Sequence, residues 1–177
     1  RFTVVAQESA ILIPEDAPLE EAALFGCAVM TGVGAVFNTA RVEPGSSVAV
    51  FGLGGVGLSA VMGAKAAGAW PIVAVDLLES KLALALRLGA SQVVCAAKED
   101  AVEAIRQASS GGVAYAFEAA GSEKALSQAY AATRRGGKTV TMGLPHPARE
   151  FRVPAFSLAA EERVVLGSYM GSSVPRR

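Results

Sequence analysis

Short apolar runs and longer helical patterns alternate along most of the chain. From Ser47 onward the apolar runs are four to six residues long and rich in Val, Ile and Ala, which is typical of strands buried on both faces. Because helical patterns separate these runs, their order predicts crossover connections and a parallel sheet with helices on both faces. The predicted strands are Val48–Phe51, Ile72–Val75, Gln92–Cys95, Ala114–Phe117, Lys138–Met142 and Val164–Tyr169, and the predicted helices are Val56–Ala67, Ser80–Leu88, Asp100–Ala108, Glu123–Thr133 and Ala155–Glu162.

The chain before Ser47 follows a different pattern. Phe2–Ala6 is predicted to be a strand, and Ile11–Pro18 an extended connector whose prolines prevent a helix from starting before Leu19. Two separate helices then follow in the prediction, at Leu19–Phe25 and Ala28–Thr39.

A Gly-x-Gly-x-x-Gly loop directly follows the strand Val48–Phe51. In this motif Gly52 permits the tight turn, Gly54 lets the backbone approach a pyrophosphate, and Gly57 lets the next helix pack close to the strand. The helix N-terminus offers N–H groups and a partial positive charge to phosphates. Asp76 ends the second strand, 19 positions after Gly57, where an acid can accept hydrogen bonds from ribose hydroxyls. Together these features predict a doubly wound, six-stranded α/β (Rossmann) fold that holds a dinucleotide.

The glycine loop leaves two alternatives open when it is considered by itself. A methyltransferase that binds S-adenosylmethionine also places a glycine-rich loop after its first strand and an acid after its second. A glycine-rich bend under a parallel sheet is the purely structural alternative, but the combination of strand, loop, helix, second strand and acid disfavours it.

Composition excludes several other classes. Sixteen basic and sixteen acidic residues cancel, and no charge block is present, so neither a nucleic acid nor a membrane surface is predicted as a partner. The uncharged stretch Pro44–Ala64 is long enough to suggest a membrane span, but its six glycines divide it into strand, loop and helix. Two cysteines, Cys27 and Cys95, form no disulfide framework, and we find no signal-peptide pattern, so a cytoplasmic location is expected.

Three segments carry a resemblance to a known family. They are Leu24–Val36, which contains the pattern Cys-x-x-x-Thr-Gly-x-Gly, then Val42–Gly45, and then Val48–Gly57. Together they resemble the zinc-containing medium-chain alcohol dehydrogenases, and they are especially similar to the branch of the animal liver enzymes and the glutathione-dependent formaldehyde dehydrogenases. The resemblance implies an NAD-linked oxidoreductase that interconverts alcohols with aldehydes or ketones.

The resemblance also implies a domain organisation. Residues 1–25 correspond to the trailing segment of a catalytic domain that this chain lacks, and residues 26–177 to the NAD-binding domain. The family's Gly-His-Glu motif and four-cysteine zinc lobe are absent from the sequence, whose single histidine is His146. We therefore expect this chain by itself to be inactive and its zinc site to be incomplete. Domains of this family pair through the last strand, which implies a homodimer through Val164–Tyr169.

The family pattern assigns roles to individual residues. Cys27 matches a ligand of the catalytic zinc, although a single cysteine among apolar residues is more often a small buried side chain. Thr31 matches a threonine that packs against the nicotinamide, and its ordinary alternative is a hydroxyl that faces its own helix. Lys81 matches a lysine that reaches the ribose, and its ordinary alternative is a solvated helix lysine. The remaining cofactor-binding matches are Gly52, Leu53, Gly54, Gly55, Val56 and Gly57 in the pyrophosphate loop, Asp76 at the ribose, and Met142, Gly143, Leu144 and Met170 near the carboxamide.

The residues after Asp76 favour NAD over NADP. Leu77 and Leu78 follow it, so a 2′-phosphate would meet an acid and no adjacent cation. A non-catalytic dinucleotide-binding module remains the second function that the sequence allows.

Overall fold

Six parallel strands form one sheet in the order β3-β2-β1-β4-β5-β6. The computed structural model describes residues 3–7 and 10–174. The strands are β1 Val48–Phe51, β2 Ile72–Asp76, β3 Gln92–Cys95, β4 Val113–Glu118, β5 Thr133–Thr141 and β6 Val164–Gly167. The connecting helices are α3 Gly55–Ala66, α4 Glu79–Leu88, α5 Ala101–Ala108, α6 Glu123–Ala132 and α7 Ala155–Ala160. The predicted doubly wound α/β fold is confirmed.

The central strands are apolar because helices cover both faces of the sheet. Every residue of β1 and β4 is buried, and β2 is buried up to Asp76. Strand β1 pairs with both, with Val48 opposite Ile72 on one side and Tyr115 on the other. The chain reverses its winding direction at β1 and β4, so the connections at the carboxyl ends of these two strands diverge and leave a crevice.

Most predicted elements are confirmed to within a residue or two at each end. The largest difference in the sheet is β5, which begins at Thr133 rather than at the predicted Lys138. Its pairing with β4 is irregular between Val113 and Tyr115, since the glycines at positions 136 and 137 fall within the strand. Strand β6 ends at Gly167, two residues before the predicted Tyr169.

The prediction for the chain before Ser47 is wrong in two respects. Residues 3–6 of the predicted strand Phe2–Ala6 form no strand, and Phe2 lies outside the described residues. The two predicted helices are one continuous helix, Leu19–Ala40. A glycine at position 26 disfavours a helix by only about 1 kcal/mol, so it did not have to end one.

This long helix combines α-helical and π-helical turns. Its segments are α1 Leu19–Leu24, a π-helical Phe25–Val29, α2 Met30–Gly34 and a π-helical Ala35–Ala40. It is long and apolar enough to cross a membrane by composition. Its C-terminal half, however, packs inside the domain: a Cβ on Gly32 would overlap the backbone of α3. This packing accounts for the apolar composition of that half.

Candidate functional site

A cleft of about 420 Å³ opens at the carboxyl ends of β1, β2 and β4. This is where an open parallel sheet forms its ligand site. The lining includes the ends of the three strands and the first turns of α4 and α6. Predicted site residues among the lining are Gly52, Leu53, Gly54, Asp76 and Lys81.

The three motif glycines meet different geometric demands. Gly52 has a φ of +86°, and a Cβ there would lie 2.7 Å from the backbone nitrogen of Ala120. A Cβ on Gly57 would overlap the carbonyl oxygen of Gly52, so the loop and α3 pack together only without side chains. Nothing lies within 4 Å of a Cβ on Gly54. The fold of the described residues therefore does not by itself require glycine at position 54, whereas a ligand pressed against the backbone would require it.

The N-terminus of α3 presents free donors at this loop. The first intrahelical bond runs from the Leu58 N–H to the Gly54 carbonyl at 2.9 Å. The N–H groups of Gly55, Val56 and Gly57 precede it and have no acceptor within the helix. An anion placed here meets these donors and the positive end of the helix dipole.

Asp76 is held by backbone N–H groups from the segments that follow β1 and β2. Its Oδ2 accepts a hydrogen bond from the Leu53 N–H at 2.7 Å, and its Oδ1 accepts from the N–H groups of Leu77 and Leu78 at 2.8 and 3.0 Å. Burial alone would raise the pKa of Asp76, but these bonds and the Lys81 ammonium outweigh it and hold the pKa below its usual range. Asp76 is therefore a carboxylate at neutral pH, and a carboxylate offers about four acceptor positions, so capacity remains for a ligand hydroxyl.

Lys81 reaches Asp76 from the first turns of α4. Its Nζ lies 3.6 Å from the Asp76 Oδ2, and its side chain is 40% exposed. The cleft also contains polar residues that the sequence analysis did not assign, namely Ser122, Lys124 and Gln128 of the β4–α6 region. No local sequence motif identifies these three residues, because α6 reaches the cleft only through the crossover that follows β4.

Glu118 is the second carboxylate at this edge, and the sequence analysis missed it. It ends β4 and is completely buried. Its Oε1 accepts from the N–H groups of Ala120 and Ser122 at 2.8 and 3.2 Å, and its Oε2 accepts from the Thr141 hydroxyl at 2.9 Å. A buried polar group needs such partners, and through them Glu118 joins the loop after β4 to the end of β5. An acid directly after five apolar residues is the signal that could have identified it.

The remaining predicted residues lie at the opposite end of this edge. Thr31 is buried, and its hydroxyl donates to the Met170 Sδ at 3.9 Å, although 139 positions separate them. Met142 and Gly143 follow β5, and both N–H groups donate to the Glu118 backbone carbonyl. Leu144, next in the chain, is exposed.

Cys27 belongs to no group of possible metal ligands among the described residues. It is exposed in the π-helical segment Phe25–Val29. Among residues 3–7 and 10–174, no group of three or more His, Cys, Asp or Glu side chains could hold a metal ion. Zinc in proteins is bound by three or four side chains, so the described residues do not form a zinc site and Cys27 alone does not fit one.

The profile of the zinc-binding dehydrogenases matches residues 55–177, more than half of the chain. The chain belongs to this family. It is 35% identical over 174 residues to "Alcohol dehydrogenase-like 7" of Arabidopsis thaliana, covering 96% of the chain and 45% of that protein.

Solved structures agree with this assignment. An alcohol dehydrogenase zinc-binding domain protein from Burkholderia ambifaria is 43% identical with a TM-score of 0.89, over 93% of this chain and 44% of that one. Benzyl alcohol dehydrogenase from Acinetobacter calcoaceticus is 38% identical with a TM-score of 0.89, over 93% and 46% of the two chains. The chain thus spans less than half the length of the relatives it matches. The predicted family is confirmed, and nearness to the liver-enzyme branch stays a prediction.

Proposed function

We propose that this chain is the NAD-binding domain of a zinc-dependent alcohol dehydrogenase that interconverts alcohols with aldehydes or ketones. The observation that carries the proposal is Asp76, an ionised carboxylate fixed at the end of β2 beside the glycine loop. The family assignment favours this function over a methyltransferase with a similar loop.

The preference for NAD over NADP follows from charge. The backbone bonds that keep Asp76 ionised also keep a negative charge where the adenosine 2′-oxygen would lie. Leu77 and Leu78 are exposed beside it and offer no cation, and the nearby Lys81 is already close to Asp76. A 2′-phosphate would therefore meet repulsion, whereas a 2′-hydroxyl donates to the carboxylate.

In this proposal each part of the cleft has one task. The N–H groups of Gly55 and Val56 bind the pyrophosphate, Asp76 and Lys81 bind the adenosine ribose, and Thr31 packs against the nicotinamide. Leu53 belongs to the pyrophosphate loop, and Met142, Gly143, Leu144 and Met170 lie near the carboxamide of the nicotinamide. When bound, NAD supplies the hydride acceptor, and the chain's contribution is to orient it.

Calorimetry of the 177-residue chain with NAD, NADP and S-adenosylmethionine tests the proposal. We expect NAD to bind and the other two ligands to bind at least roughly tenfold more weakly, a difference of about 1.4 kcal/mol. The Asp76→Ala variant should lose most of the NAD affinity while it keeps its circular dichroism spectrum. A matched control is Asp100→Ala, since Asp100 caps α5 with two backbone bonds and lies outside the cleft lining.

Three outcomes contradict the proposal. Equal affinity for NAD and NADP removes the assigned cofactor preference. Binding of S-adenosylmethionine in place of NAD revives the methyltransferase alternative. Unchanged NAD binding by Asp76→Ala removes the residue on which the proposal rests.

The proposal includes a homodimer through β6. Val164 and Val165 are 38% and 36% exposed on this edge strand, and an apolar edge without a partner strand promotes association. Val165→Lys places a charge on the edge and should give a monomer in analytical ultracentrifugation. A dimer that persists in this variant contradicts edge pairing.

Membership of the family is the only support for three parts of the proposal, namely zinc, the alcohol substrate and a cytoplasmic location. Cys27 is the one residue that we assign to the metal, and its remaining ligands would come from a catalytic domain. We propose that this chain by itself binds cofactor without turnover.

A further inference from the structure

The turn after β6 has an unusual backbone. Met170, Gly171 and Ser172 have φ values of +49°, +65° and +49° in succession. Two of these three residues are not glycine, and a left-handed conformation of such residues disfavours the folded state unless the surroundings impose it.

The C-terminal part of the long helix imposes this conformation through two side chains. The Asn38 Nδ2 donates to the Gly171 carbonyl at 3.0 Å and to the Ser173 Oγ at 3.1 Å. The Thr39 hydroxyl is paired with the Ser168 Oγ at 2.8 Å and with the Ser172 Oγ at 3.0 Å. Together these bonds fix the turn from both of its ends.

Close backbone packing completes the attachment. A Cβ on Gly34 would overlap the Gly171 carbonyl oxygen, and a Cβ on Gly171 would overlap the Met30 carbonyl oxygen. The turn therefore has one position against the helix, and a shift of either backbone is resisted by the other.

This attachment determines where Met170 lies. The same helix carries Thr31, whose hydroxyl contacts the Met170 Sδ. Asn38 and Thr39 are two helical turns further along, and their side-chain hydrogen bonds among the described residues go to Ser168, Gly171, Ser172 and Ser173 rather than to this pair. They can act on the Thr31–Met170 pair only by holding the turn.

We propose that Asn38 and Thr39 are positioning residues for the nicotinamide half of the bound dinucleotide. The inference rests on the proposed function, because Thr31 and Met170 are assigned there to the nicotinamide. The affinity for the nicotinamide half then depends on Asn38 and Thr39, although their side chains do not touch the cofactor. The affinity for the adenosine half does not depend on them.

The test compares NAD with ADP-ribose, which lacks the nicotinamide. In calorimetry of the 177-residue chain we expect NAD to bind more tightly than ADP-ribose. Thr39→Val keeps the shape of the side chain and removes its hydroxyl, so it should weaken NAD roughly fivefold and leave ADP-ribose unchanged. Thr39→Ser restores the hydroxyl and should restore NAD affinity. Asn38→Ala, at an exposed position, should show the same selective loss without a folding defect.

A matched control is Thr139→Val. Thr139 is a buried threonine whose hydroxyl is paired with that of Thr133 at 2.9 Å, away from the turn. It should lower the melting temperature and leave the ratio of the two affinities unchanged, which separates lost stability from lost positioning.

The outcomes distinguish the inference from the proposed function. If the unmodified chain binds neither NAD nor ADP-ribose, the proposed function has failed. If it binds both equally, or if Thr39→Val weakens both equally or neither, the positioning role is wrong while dinucleotide binding stands. If Thr39→Val does not fold, Asn38→Ala decides between these outcomes.

Discussion

The two ends of the proposed dinucleotide site are constructed in different ways. At the adenosine end the glycine loop, Asp76 and Lys81 come from one stretch of chain, β1-α3-β2 with the start of α4. At the other end Thr31 and Met170 meet across 139 positions. The first end is a local motif whose geometry follows from its spacing. The second end exists only because a helix and a distant turn pack together, so its residues carry no common local pattern.

Glu118 lies between the two ends and contacts both. Its carboxylate accepts from the loop that enters the adenosine side of the cleft, and from Thr141, which precedes Met142 and Gly143. Substitutions at Glu118 and in the adenosine end test whether stability and binding at the two ends are as separate as their construction indicates.

Glu118→Ala should have the largest effect on stability and should affect both ends. It removes three hydrogen bonds to a buried side chain and leaves a cavity, so we expect the free energy of unfolding to fall by about 3–4 kcal/mol. Urea denaturation measures this loss. Glu118→Gln keeps the volume and should lose clearly less; an equal loss in both variants would attribute the effect to charge alone.

Gly57→Ala and Gly54→Ala should separate folding from binding within the adenosine end. The new Cβ at position 57 meets the Gly52 carbonyl, so this variant should lose about 2–3 kcal/mol of stability together with NAD affinity. The Cβ at position 54 meets open space, so that variant should keep its melting temperature and still bind NAD more weakly. Unchanged NAD binding by Gly54→Ala would mean that the pyrophosphate does not approach the loop as proposed.

Asp76→Asn should lower the stability less than Gly57→Ala does, and by an amount that depends on pH. Because the folded-state pKa of Asp76 is lowered, the carboxylate stabilises the fold above its unfolded-state pKa of about 3.9, and this contribution is lost as the pH falls through the folded value. Near neutral pH the variant should be less stable by about 1–2 kcal/mol. The difference should shrink below about pH 4 in urea denaturation; a difference that stays constant would show that the bonds from Leu53, Leu77 and Leu78 do not depend on the charge.

The sequence predicted the glycine loop, the acid at the end of β2 and most of the sheet for a shared reason. Runs such as Val48–Phe51 are apolar throughout because both faces are covered, and Asp76 follows such a run directly. The hydrophobic periodicity of a strand or a helix extends over a few neighbouring residues, so it can be recognised from the sequence alone.

The errors fall where the deciding contacts are distant. Leu19–Ala40 is one helix because its second half packs on α3 and on the turn after β6, and both of these partners are distant from it in sequence. Residues 3–6 have strand-like composition, yet among the described residues they pair with no strand. Local propensity is overridden in both cases, since burial and pairing carry more free energy than propensity does.

The sequence by itself determined the order of strands and helices, the glycine loop and the acid at the end of β2, because each depends on spacing along the chain. Only the tertiary structure decided that Glu118 is a buried acid whose two oxygens accept three hydrogen bonds, and that Asn38 and Thr39 hold a left-handed turn against the helix of Thr31. These features depend on hydrogen bonds and backbone contacts between segments that are remote in sequence, and such contacts are specified only once the whole domain is packed.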